Sequence, residues 1–291
     1  MNPWILAIRP KTLPAAIAPV MIGTAMAWGD GAAHWPSAAA ALFAALCIQI
    51  ATNLTNDYCD FKKGADTSTR VGPVRVTQAG LISPRAVVIA AATFFILVVL
   101  ASVYLVLRAG NAIAIVAAAS VLSGILYTAG PKPLAYMGLG ELFVFIFFGP
   151  VAVAGTYFVQ ALEINWAVVA AGFGPGFLSC AILAVNNLRD IEGDRKAGKM
   201  TLAVRWGKAF AAQEYLFCIL AAALTPLLVY VITRDHEGAA VASLIGFAAI
   251  PAIAAVFTTT GAAFNKILAR TSFLLLAYSI LFSAGWMLCS R

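Results

Sequence analysis

Two short acidic stretches follow hydrophobic runs in this chain, and in each an asparagine precedes two aspartates at helical spacing. The six residues are Asn53, Asp57 and Asp60 in the first stretch and Asn186, Asp190 and Asp194 in the second. Residues four apart lie on one face of an α-helix, so each stretch would present its polar side chains as a stripe. Carboxylates held close together repel one another unless a cation lies between them, and oxygen donors suit Mg²⁺. The spacing therefore predicts a magnesium site, the alternative being that these acids only solvate the ends of helices.

The residues around the acidic stretches favour a substrate that carries phosphate. Magnesium in proteins commonly keeps part of its coordination for water and substrate phosphates. Several basic residues close to glycine or proline turns near the two stretches are candidates to bind a diphosphate. They are Arg70, Arg75, Lys132, Lys199 and Arg205. The two stretches also share the pattern D-x-K-x-G, at 60–64 and 194–198, which indicates a duplicated helical unit.

The composition is that of an integral membrane protein. Of the 291 residues, 62% are hydrophobic and 11% are charged, with a mean hydropathy of +0.92. A soluble domain of this size needs far more charge to cover its surface. The five cysteines show no CxxC spacing, so neither a disulfide framework nor a zinc site is indicated. The two histidines lie far apart in sequence, which disfavours catalysis by histidine.

The hydropathy pattern predicts an all-α membrane protein with nine transmembrane helices, forming a single domain over residues 1–291. A spanning helix needs about 20 mainly apolar residues. The nine candidate segments run over residues 13–29, 36–56, 84–107, 110–129, 134–160, 166–189, 209–233, 239–260 and 270–290. The acidic stretches then fall at the ends of the second and sixth helices.

The distribution of basic residues predicts the orientation of these helices. With nine spans, sixteen of the nineteen Lys and Arg residues fall on the side of the N-terminus, and the other side holds Arg108, Arg234 and Arg291. Because cytoplasmic loops carry an excess of Lys and Arg, the N-terminus and both acidic stretches are predicted to face the cytoplasm. This bias accounts for most of the net charge of +7, so no nucleic-acid partner is indicated.

Four longer segments resemble a known family. They are RPKTLPA (9–15), NDYCDFKKGADTSTRVGPVRVTQAGL (56–81), GLGELFVFIFFGPVAVAGTYFVQ (138–160) and NNLRDIEGDRKAGKMTLAVRWG (186–207). On these segments the chain resembles the UbiA superfamily of intramembrane aromatic prenyltransferases, from about residue 3 to residue 285. The resemblance implies nine helices, a location in the cell inner membrane, and Mg²⁺-dependent transfer of a long isoprenoid chain from its diphosphate to an aromatic ring.

The resemblance also implies a role for each acidic stretch. The residues that would hold the magnesium ions are Asp57, Asp60, Asp190 and Asp194, with Asn53 and Asn186 completing the ligand shells. Asp66 is a candidate to join the first cluster. The patterns within residues 56–75 and 201–207 favour the branch of the superfamily whose acceptor is 1,4-dihydroxy-2-naphthoate. The expected partners are therefore a polyprenyl diphosphate, this naphthoate and membrane lipid. The expected product is demethylmenaquinone, formed after loss of the carboxylate during menaquinone biosynthesis.

Two other functions are compatible with these residues. A member of the same superfamily with another aromatic acceptor, such as 4-hydroxybenzoate, would share the fold and the diphosphate chemistry. A transporter would also place acids inside a helical bundle with internal repeats. A transporter needs polar residues through the whole membrane, however, whereas the acids of this chain cluster at helix ends.

One acidic residue lies inside an apolar segment. Glu141 falls within the fifth predicted helix, and an ionisable residue inside the membrane indicates a functional site. Its position is compatible both with binding of the acceptor and with a structural hydrogen bond. The phenylalanines that follow are candidates either to line the path of the isoprenoid or to pack against other helices. They are Phe143, Phe145, Phe147 and Phe148.

Overall fold

The structure, a computed structural model, describes residues 2–64 and 72–288, which form helices and short connections without a β-strand. The α-helices are α1 (Pro3–Ile8), α2 (Pro14–Gly29), α3 (Trp35–Lys62), α4 (Pro84–Ala109), α5 (Asn111–Leu126), α6 (Gly140–Phe148), α7 (Pro150–Ala161), α8 (Trp166–Ala171), α9 (Phe173–Lys196), α10 (Leu202–Thr233), α11 (Ile245–Ala248), α12 (Ile250–Thr258) and α13 (Phe264–Leu288). Short 3₁₀ helices lie at Pro10–Thr12, Leu134–Met137, Glu237–Leu244 and Gly261–Ala263. The predicted all-α class is confirmed for the described residues.

Many of these helices are long and apolar enough to cross a membrane. Over residues 2–64 and 72–288, seven helical segments meet this test, and α1 with α2 adds an eighth if the pair, bent by 49°, is counted as one span. The seven are Trp35–Lys62, Pro84–Ala109, Gly140–Ala161, Trp166–Lys196, Leu202–Thr233, Glu237–Thr258 and Gly261–Leu288. Helix α5 is apolar but has only 16 residues. The chain is a multi-pass membrane protein, and the count of nine spans stays a prediction.

Helices α3 and α9 extend beyond their predicted ends, so the acidic stretches form their last turns. The predicted spans stopped at residues 56 and 189, whereas the helices end at Lys62 and Lys196. Hydropathy marks where the chain becomes polar, but a helix continues until its backbone hydrogen bonds stop. Both helices stop before a glycine with positive φ, Gly64 (66°) and Gly198 (70°), a conformation that glycine adopts without steric cost. The repeated D-x-K-x-G pattern is thus a repeated helix end.

Prolines and glycines interrupt two of the predicted spans. Helix α6 gives way to α7 at Gly149, next to Pro150, whose missing N–H cannot continue a helix. Helices α8 and α9 are separated at Gly172. Gly207, just before the predicted span 209–233, also has non-helical angles near the start of α10. The hydropathy pattern predicted the two interrupted spans as continuous. Hydropathy does not detect such breaks because the chain stays equally apolar across them.

The second acidic stretch lies at the end of the most deeply packed span. In the apolar part of Trp166–Lys196, 72% of the residues are buried, against 17% for Pro84–Ala109. Helix α9 contacts α2, α6, α10 and α13. Its core side chains include Leu178, Ala181 and Val185. This packing holds the polar end of α9 in a fixed position beside the ends of α3 and α6.

Candidate functional site

A large cavity lies inside the helical bundle. Its volume is about 890 Å³, and residues of α1 to α7, α9 and α13 line it. On α3 the lining runs from Ala41 to Asn56, which corresponds to about 22 Å along the helix axis at 1.5 Å per residue. The cavity is therefore long enough to hold an extended apolar chain together with a polar head group.

The two ends of the cavity differ in polarity. The end near the acidic stretches is lined by five cationic residues, which are Arg9, Lys11, Arg75, Arg189 and Lys199. The opposite end is lined by apolar residues that include Leu105, Ile113 and Val159. Among the described residues that line the cavity, Glu141 is the only acid. We call the charged region the cationic end; it suits an anionic group, whereas the opposite end suits hydrocarbon.

The aspartates of the first stretch are buried next to the cationic end. The carboxylate of Asp57 accepts hydrogen bonds from the backbone N–H groups of Val76, at 3.2 Å, and Thr77, at 3.0 Å. Asp60 accepts a hydrogen bond from the guanidinium of Arg75 at 3.1 Å, and both side chains are buried. Asp57 therefore holds the segment after residue 72 against α3. Asp60 balances the positive charge of Arg75, which lines the cavity.

Arg189 organises the second stretch. Its guanidinium donates hydrogen bonds to both carboxylate oxygens of Asp190, at 2.8 and 2.7 Å, and to Asn186 Oδ1 at 2.6 Å. It also donates to Asn265 Oδ1 of α13 at 2.9 Å. In the sequence, Arg189 was one of the sixteen Lys and Arg residues whose distribution predicts the orientation of the helices in the membrane. Its place between Asn186 and Asp190, inside the motif itself, was the signal that could have identified it.

Lys199 gives the other aspartate of this stretch a cationic partner. Its Nζ lies 3.7 Å from Asp194 Oδ1, and both side chains are largely shielded from solvent. Lys199 follows the glycine that ends α9 and lines the cavity. At the end of α3 and at the end of α9, an aspartate is therefore paired with a cation that lines the cavity: Asp60 with Arg75, and Asp194 with Lys199.

A tyrosine joins the two acidic stretches. The hydroxyl of Tyr136 donates to Asp60 Oδ1 at 3.4 Å, and its backbone carbonyl accepts from the N–H of Met200 at 3.2 Å. The ammonium groups of Lys63 and Lys199 lie 4.5 and 5.8 Å from the centre of its ring, within the range of a cation–π interaction. No sequence pattern indicated Tyr136, because its contacts come from segments remote from it along the chain.

The predicted asparagines line the cavity and make hydrogen bonds within the protein. Asn53 Nδ2 donates to Ile8 O and Thr12 Oγ1, both at 2.9 Å. Arg9 donates to Asn56 Oδ1 at 3.1 Å. The first stretch therefore holds the N-terminal segment against the cavity, a role that the sequence analysis did not predict. Asn186 lines the cavity beside Arg189. A part of either asparagine in a metal shell stays a prediction.

The donor atoms fit a divalent metal ion that arrives with its substrate. Over residues 2–64 and 72–288, no group of three or more His, Cys, Asp and Glu side chains is placed to hold a metal ion by itself. The aspartates instead form one pair at the end of α3 and one at the end of α9. Magnesium is commonly bound through one or two carboxylates together with substrate phosphates. A buried pair of carboxylates and a half-buried pair beside a cationic cavity end match that requirement in chemistry.

Two of the predicted diphosphate-binding residues lie away from the cavity lining. Lys132 is exposed on the connection between α5 and α6. Arg205 donates to the backbone carbonyls of Met200, at 3.0 Å, and Met137, at 2.8 Å, so it joins two connections. By contrast, Arg75 and Lys199 line the cavity, as described above.

Two residues of the sequence analysis cannot be placed. Arg70, a predicted diphosphate-binding residue, and Asp66, a candidate for the first metal cluster, lie outside the described residues.

Helix α6 contributes aromatic side chains to the cavity. Three of its phenylalanines line it, namely Phe143, Phe147 and Phe148. Phe145 points elsewhere, because its ring lies 5.7 Å from that of Phe173 and 4.7 Å from that of Phe177. The sequence left open whether these phenylalanines line the path of the isoprenoid or pack against other helices. Three of them lie in the cavity wall, and the fourth packs between helices.

Comparison with known proteins agrees with this geometry. The profile described as the UbiA prenyltransferase family matches residues 16–276 of the chain. The chain belongs to the UbiA prenyltransferase family. The resemblance drawn from the four sequence segments is thereby confirmed.

Relatives of this UbiA chain have names that state their activity. A 1,4-dihydroxy-2-naphthoate octaprenyltransferase from Mycobacterium tuberculosis is 46% identical over 212 residues, covering 73% of this chain and 72% of the relative. The enzyme of the same name from Haemophilus influenzae is 35% identical and covers 97% of this chain and 94% of the relative. The solved structure of a UbiA homolog from Archaeoglobus fulgidus bound to GPP and Mg²⁺ has a TM-score of 0.63 at 15% identity, covering 97% of this chain and 99% of that chain. The UbiA fold therefore extends over almost the whole chain.

Proposed function

We propose that this protein transfers a polyprenyl chain from its diphosphate to 1,4-dihydroxy-2-naphthoate, with loss of the carboxylate as CO₂ and release of diphosphate. The product is the hydroquinone demethylmenaquinol, which gives demethylmenaquinone on later oxidation outside this site. The observation that carries the proposal is a cavity of about 890 Å³ with a cationic end and an apolar end, in a chain 46% identical to an enzyme named for this reaction. A substrate with a diphosphate head and a long hydrocarbon tail matches both ends at once.

The cationic end binds the diphosphate in this proposal. Arg75, Arg189 and Lys199 line the cavity there, and guanidinium and ammonium groups are suited to phosphate oxygens. The predicted metal ligands stand beside them and are Asp57, Asp60, Asp190 and Asp194. When bound there, Mg²⁺ would stabilise the negative charge that develops on the leaving diphosphate. The cations of the protein would stabilise the same charge.

The rest of the cavity binds the hydrocarbon chain and keeps water away from the reacting carbon. Ionisation of an allylic C–O bond needs no protein nucleophile, only stabilisation of the leaving group. The allylic carbocation must then meet an electron-rich ring before it meets water. The apolar walls, which include Phe143, Phe147 and Val159, provide a dry surface for the chain.

The acceptor has to lie at the boundary between the two ends. Its reacting ring carbon must come within about 3–3.5 Å of the allylic carbon, so it lies close to the diphosphate. The naphthoate is an anion, and Arg9 and Lys11 of the N-terminal segment also line the cationic end. Their positive charge suits the carboxylate of the acceptor.

The topology belongs to the same proposal. Nine spans in one domain, with a cytoplasmic N-terminus, would place both acidic stretches and the cationic end on the cytoplasmic side. Sixteen of the nineteen Lys and Arg residues then lie on that side, as expected from the positive-inside rule. A site that faces the cytoplasm receives the water-soluble naphthoate from that compartment.

Metal dependence provides a direct test of this function. Membranes that carry the protein are expected to form demethylmenaquinol, detected as such or as demethylmenaquinone after oxidation in air, from the naphthoate and a polyprenyl diphosphate when Mg²⁺ is present. EDTA should abolish product formation and added Mg²⁺ should restore it, because leaving-group charge is not stabilised without the metal. Product mass is measured, with membranes of the same cells lacking the protein as the control. Unchanged turnover in EDTA, or no product under any condition, would contradict the proposal.

A further inference from the structure

Glu141 stands apart from every other charged residue of the cavity. It is the only acid among the described residues that line the cavity, against five cationic lining residues. It lies in the first turn of α6, where the helix dipole favours a negative charge. A carboxylate kept within a membrane bundle is costly and is usually functional. The proposed diphosphate and metal chemistry above does not use this residue.

The surroundings of Glu141 place it between the two ends of the cavity. Its Oε1 accepts a hydrogen bond from Asn187 Nδ2 at 2.8 Å, which ties it to α9 three residues before Asp190. Along α6, away from the cationic end, Phe143 and Phe147 follow it on the cavity wall. Glu141 therefore lies where the binding region for diphosphate passes into the aromatic wall, which is where an acceptor ring has to dock.

We propose that Glu141 recognises the acceptor by accepting a hydrogen bond from its 4-hydroxyl group. The inference rests on the proposed function and extends it to a residue that determines specificity. The acceptor carries a carboxylate at ring position 2, next to the 1-hydroxyl and two ring positions away from the 4-hydroxyl. The carboxylate is attracted to cations such as Arg9 and Lys11 and is repelled by Glu141. The ring therefore turns its 4-hydroxyl, the donor farther from the carboxylate, toward Glu141.

This arrangement lets Glu141 discriminate against acceptors without a 4-hydroxyl as well as bind those that have one. When a bound acceptor covers the carboxylate but lacks the hydroxyl partner, the carboxylate loses water without gaining a compensating hydrogen bond. A site built to bind a substrate hydroxyl therefore rejects analogues that lack it. Asn187 holds the other oxygen of Glu141 in place, so the carboxylate cannot turn away from an unsuitable acceptor without losing that bond.

The test compares two acceptor analogues in two proteins. The first analogue, 1-hydroxy-2-naphthoate, lacks the 4-hydroxyl, and the second, 4-hydroxy-2-naphthoate, lacks the 1-hydroxyl. Their Kd values are measured by calorimetry on purified protein in lipid nanodiscs, with Mg²⁺ and geranyl thiolodiphosphate, an analogue that resists ionisation. Binding is measured rather than turnover, so changes in ring reactivity do not enter. The proteins are wild type and Glu141→Gln, which retains an oxygen that can accept from Asn187.

Loss of the 4-hydroxyl is expected to weaken binding about tenfold or more in the wild type and only about twofold in Glu141→Gln. Loss of the 1-hydroxyl should weaken binding equally in both proteins. Glu163→Gln is the matched control, because Glu163 is an exposed glutamate after the end of α7 and outside the cavity lining; it should behave as wild type. Glu141→Asp, which keeps the charge on a shorter side chain, should give an intermediate ratio and replaces the glutamine variant if that variant does not fold.

Several results would overturn the inference. Equal effects of the 4-hydroxyl in the wild type and in Glu141→Gln would show that Glu141 has only a structural role toward Asn187. If loss of the 1-hydroxyl, rather than of the 4-hydroxyl, weakens binding more in the wild type than in Glu141→Gln, the ring is oriented with its 1-hydroxyl toward Glu141. The proposed function is tested separately by prenylation of the naphthoate itself in the wild type. If that reaction fails, the function is wrong and the inference falls with it; if it succeeds without coupling at Glu141, only the inference is wrong.

Discussion

Replacing Asp190 by asparagine is expected to lower the rate of prenyl transfer about a hundredfold or more, with the protein still folded and inserted in the membrane. The substitution removes one negative charge and keeps the size of the side chain. Asp190 receives two hydrogen bonds from Arg189, at 2.8 and 2.7 Å, and is a predicted metal ligand. The variant therefore weakens the proposed metal site and releases Arg189 from its main ionic partner.

The fold should tolerate this substitution because Arg189 keeps two other partners, Asn186 and Asn265. Turnover is measured in membranes at saturating naphthoate and prenyl diphosphate over a range of Mg²⁺ concentrations. Asp235→Asn is the matched control, since Asp235 lies after the end of α10, on the opposite side of the bundle from the cationic end. Asp190→Asn with the activity and Mg²⁺ requirement of the wild type would show that this aspartate does not belong to the site.

Replacing Arg75 by alanine is expected to have the second large effect, a loss of about 10²–10³-fold in kcat/KM, or about 3–4 kcal/mol of transition-state stabilisation. Arg75 lines the cavity and is buried. It is therefore already oriented toward the place where negative charge develops on the leaving group. Such preorganised donors contribute more than solvent-exposed ones, because they need no reorganisation when the charge forms.

Loss of Arg75 also leaves Asp60 without its ionic partner at 3.1 Å, which can destabilise a buried pair by about 3–5 kcal/mol. Arg75→Lys separates the two effects, because it keeps the charge beside Asp60 but loses the planar guanidinium. It should be as abundant in the membrane as the wild type and retain an intermediate activity. Lys132→Ala is the matched control, since Lys132 is exposed and outside the cavity lining. Equal activity of the Arg75→Ala and Lys132→Ala variants would remove Arg75 from the diphosphate site.

The class of the protein and the position of its polar stripes could be predicted from the sequence. The four-residue spacing of Asn53 and Asp57 depends only on helix geometry, and both side chains are buried on α3 as a stripe facing the protein interior requires. The apolar runs likewise depend only on the thickness of the membrane. Local rules of this kind need no knowledge of which helices are neighbours.

The partners of the acidic residues could not be predicted in the same way. Asp60 pairs with Arg75 and Tyr136, which lie 15 and 76 residues away along the chain. Lys132 and Lys199 both lie near glycine in the sequence, yet only Lys199 lines the cavity. The difference comes from the packing of the connection between α5 and α6 against the end of α9. Such packing is a tertiary property, and hydropathy and spacing carry no information about it.

The role of Asn53 illustrates the same limit. Its spacing from Asp57 placed it among the metal ligands, but its amide nitrogen donates to Ile8 and Thr12 of the N-terminal segment. That segment turns back at α1, which ends in a left-handed Arg9 with φ of 57°. A one-dimensional pattern cannot reveal that residues 8 and 53 meet. Asn53 therefore also holds the wall of the cavity, while its part in a metal shell stays a prediction.

Competition between acceptors tests the central claim most directly. Membranes that carry this protein alone are given equal concentrations of 1,4-dihydroxy-2-naphthoate and 4-hydroxybenzoate, with one polyprenyl diphosphate and Mg²⁺, and the masses of all prenylated products are measured. We expect demethylmenaquinol, or demethylmenaquinone after oxidation in air, as the product, without the carboxylate of the acceptor, and little or no prenylated hydroxybenzoate. A product that retains the carboxylate, or a preference for 4-hydroxybenzoate, would contradict the assigned function while leaving membership of the UbiA family intact.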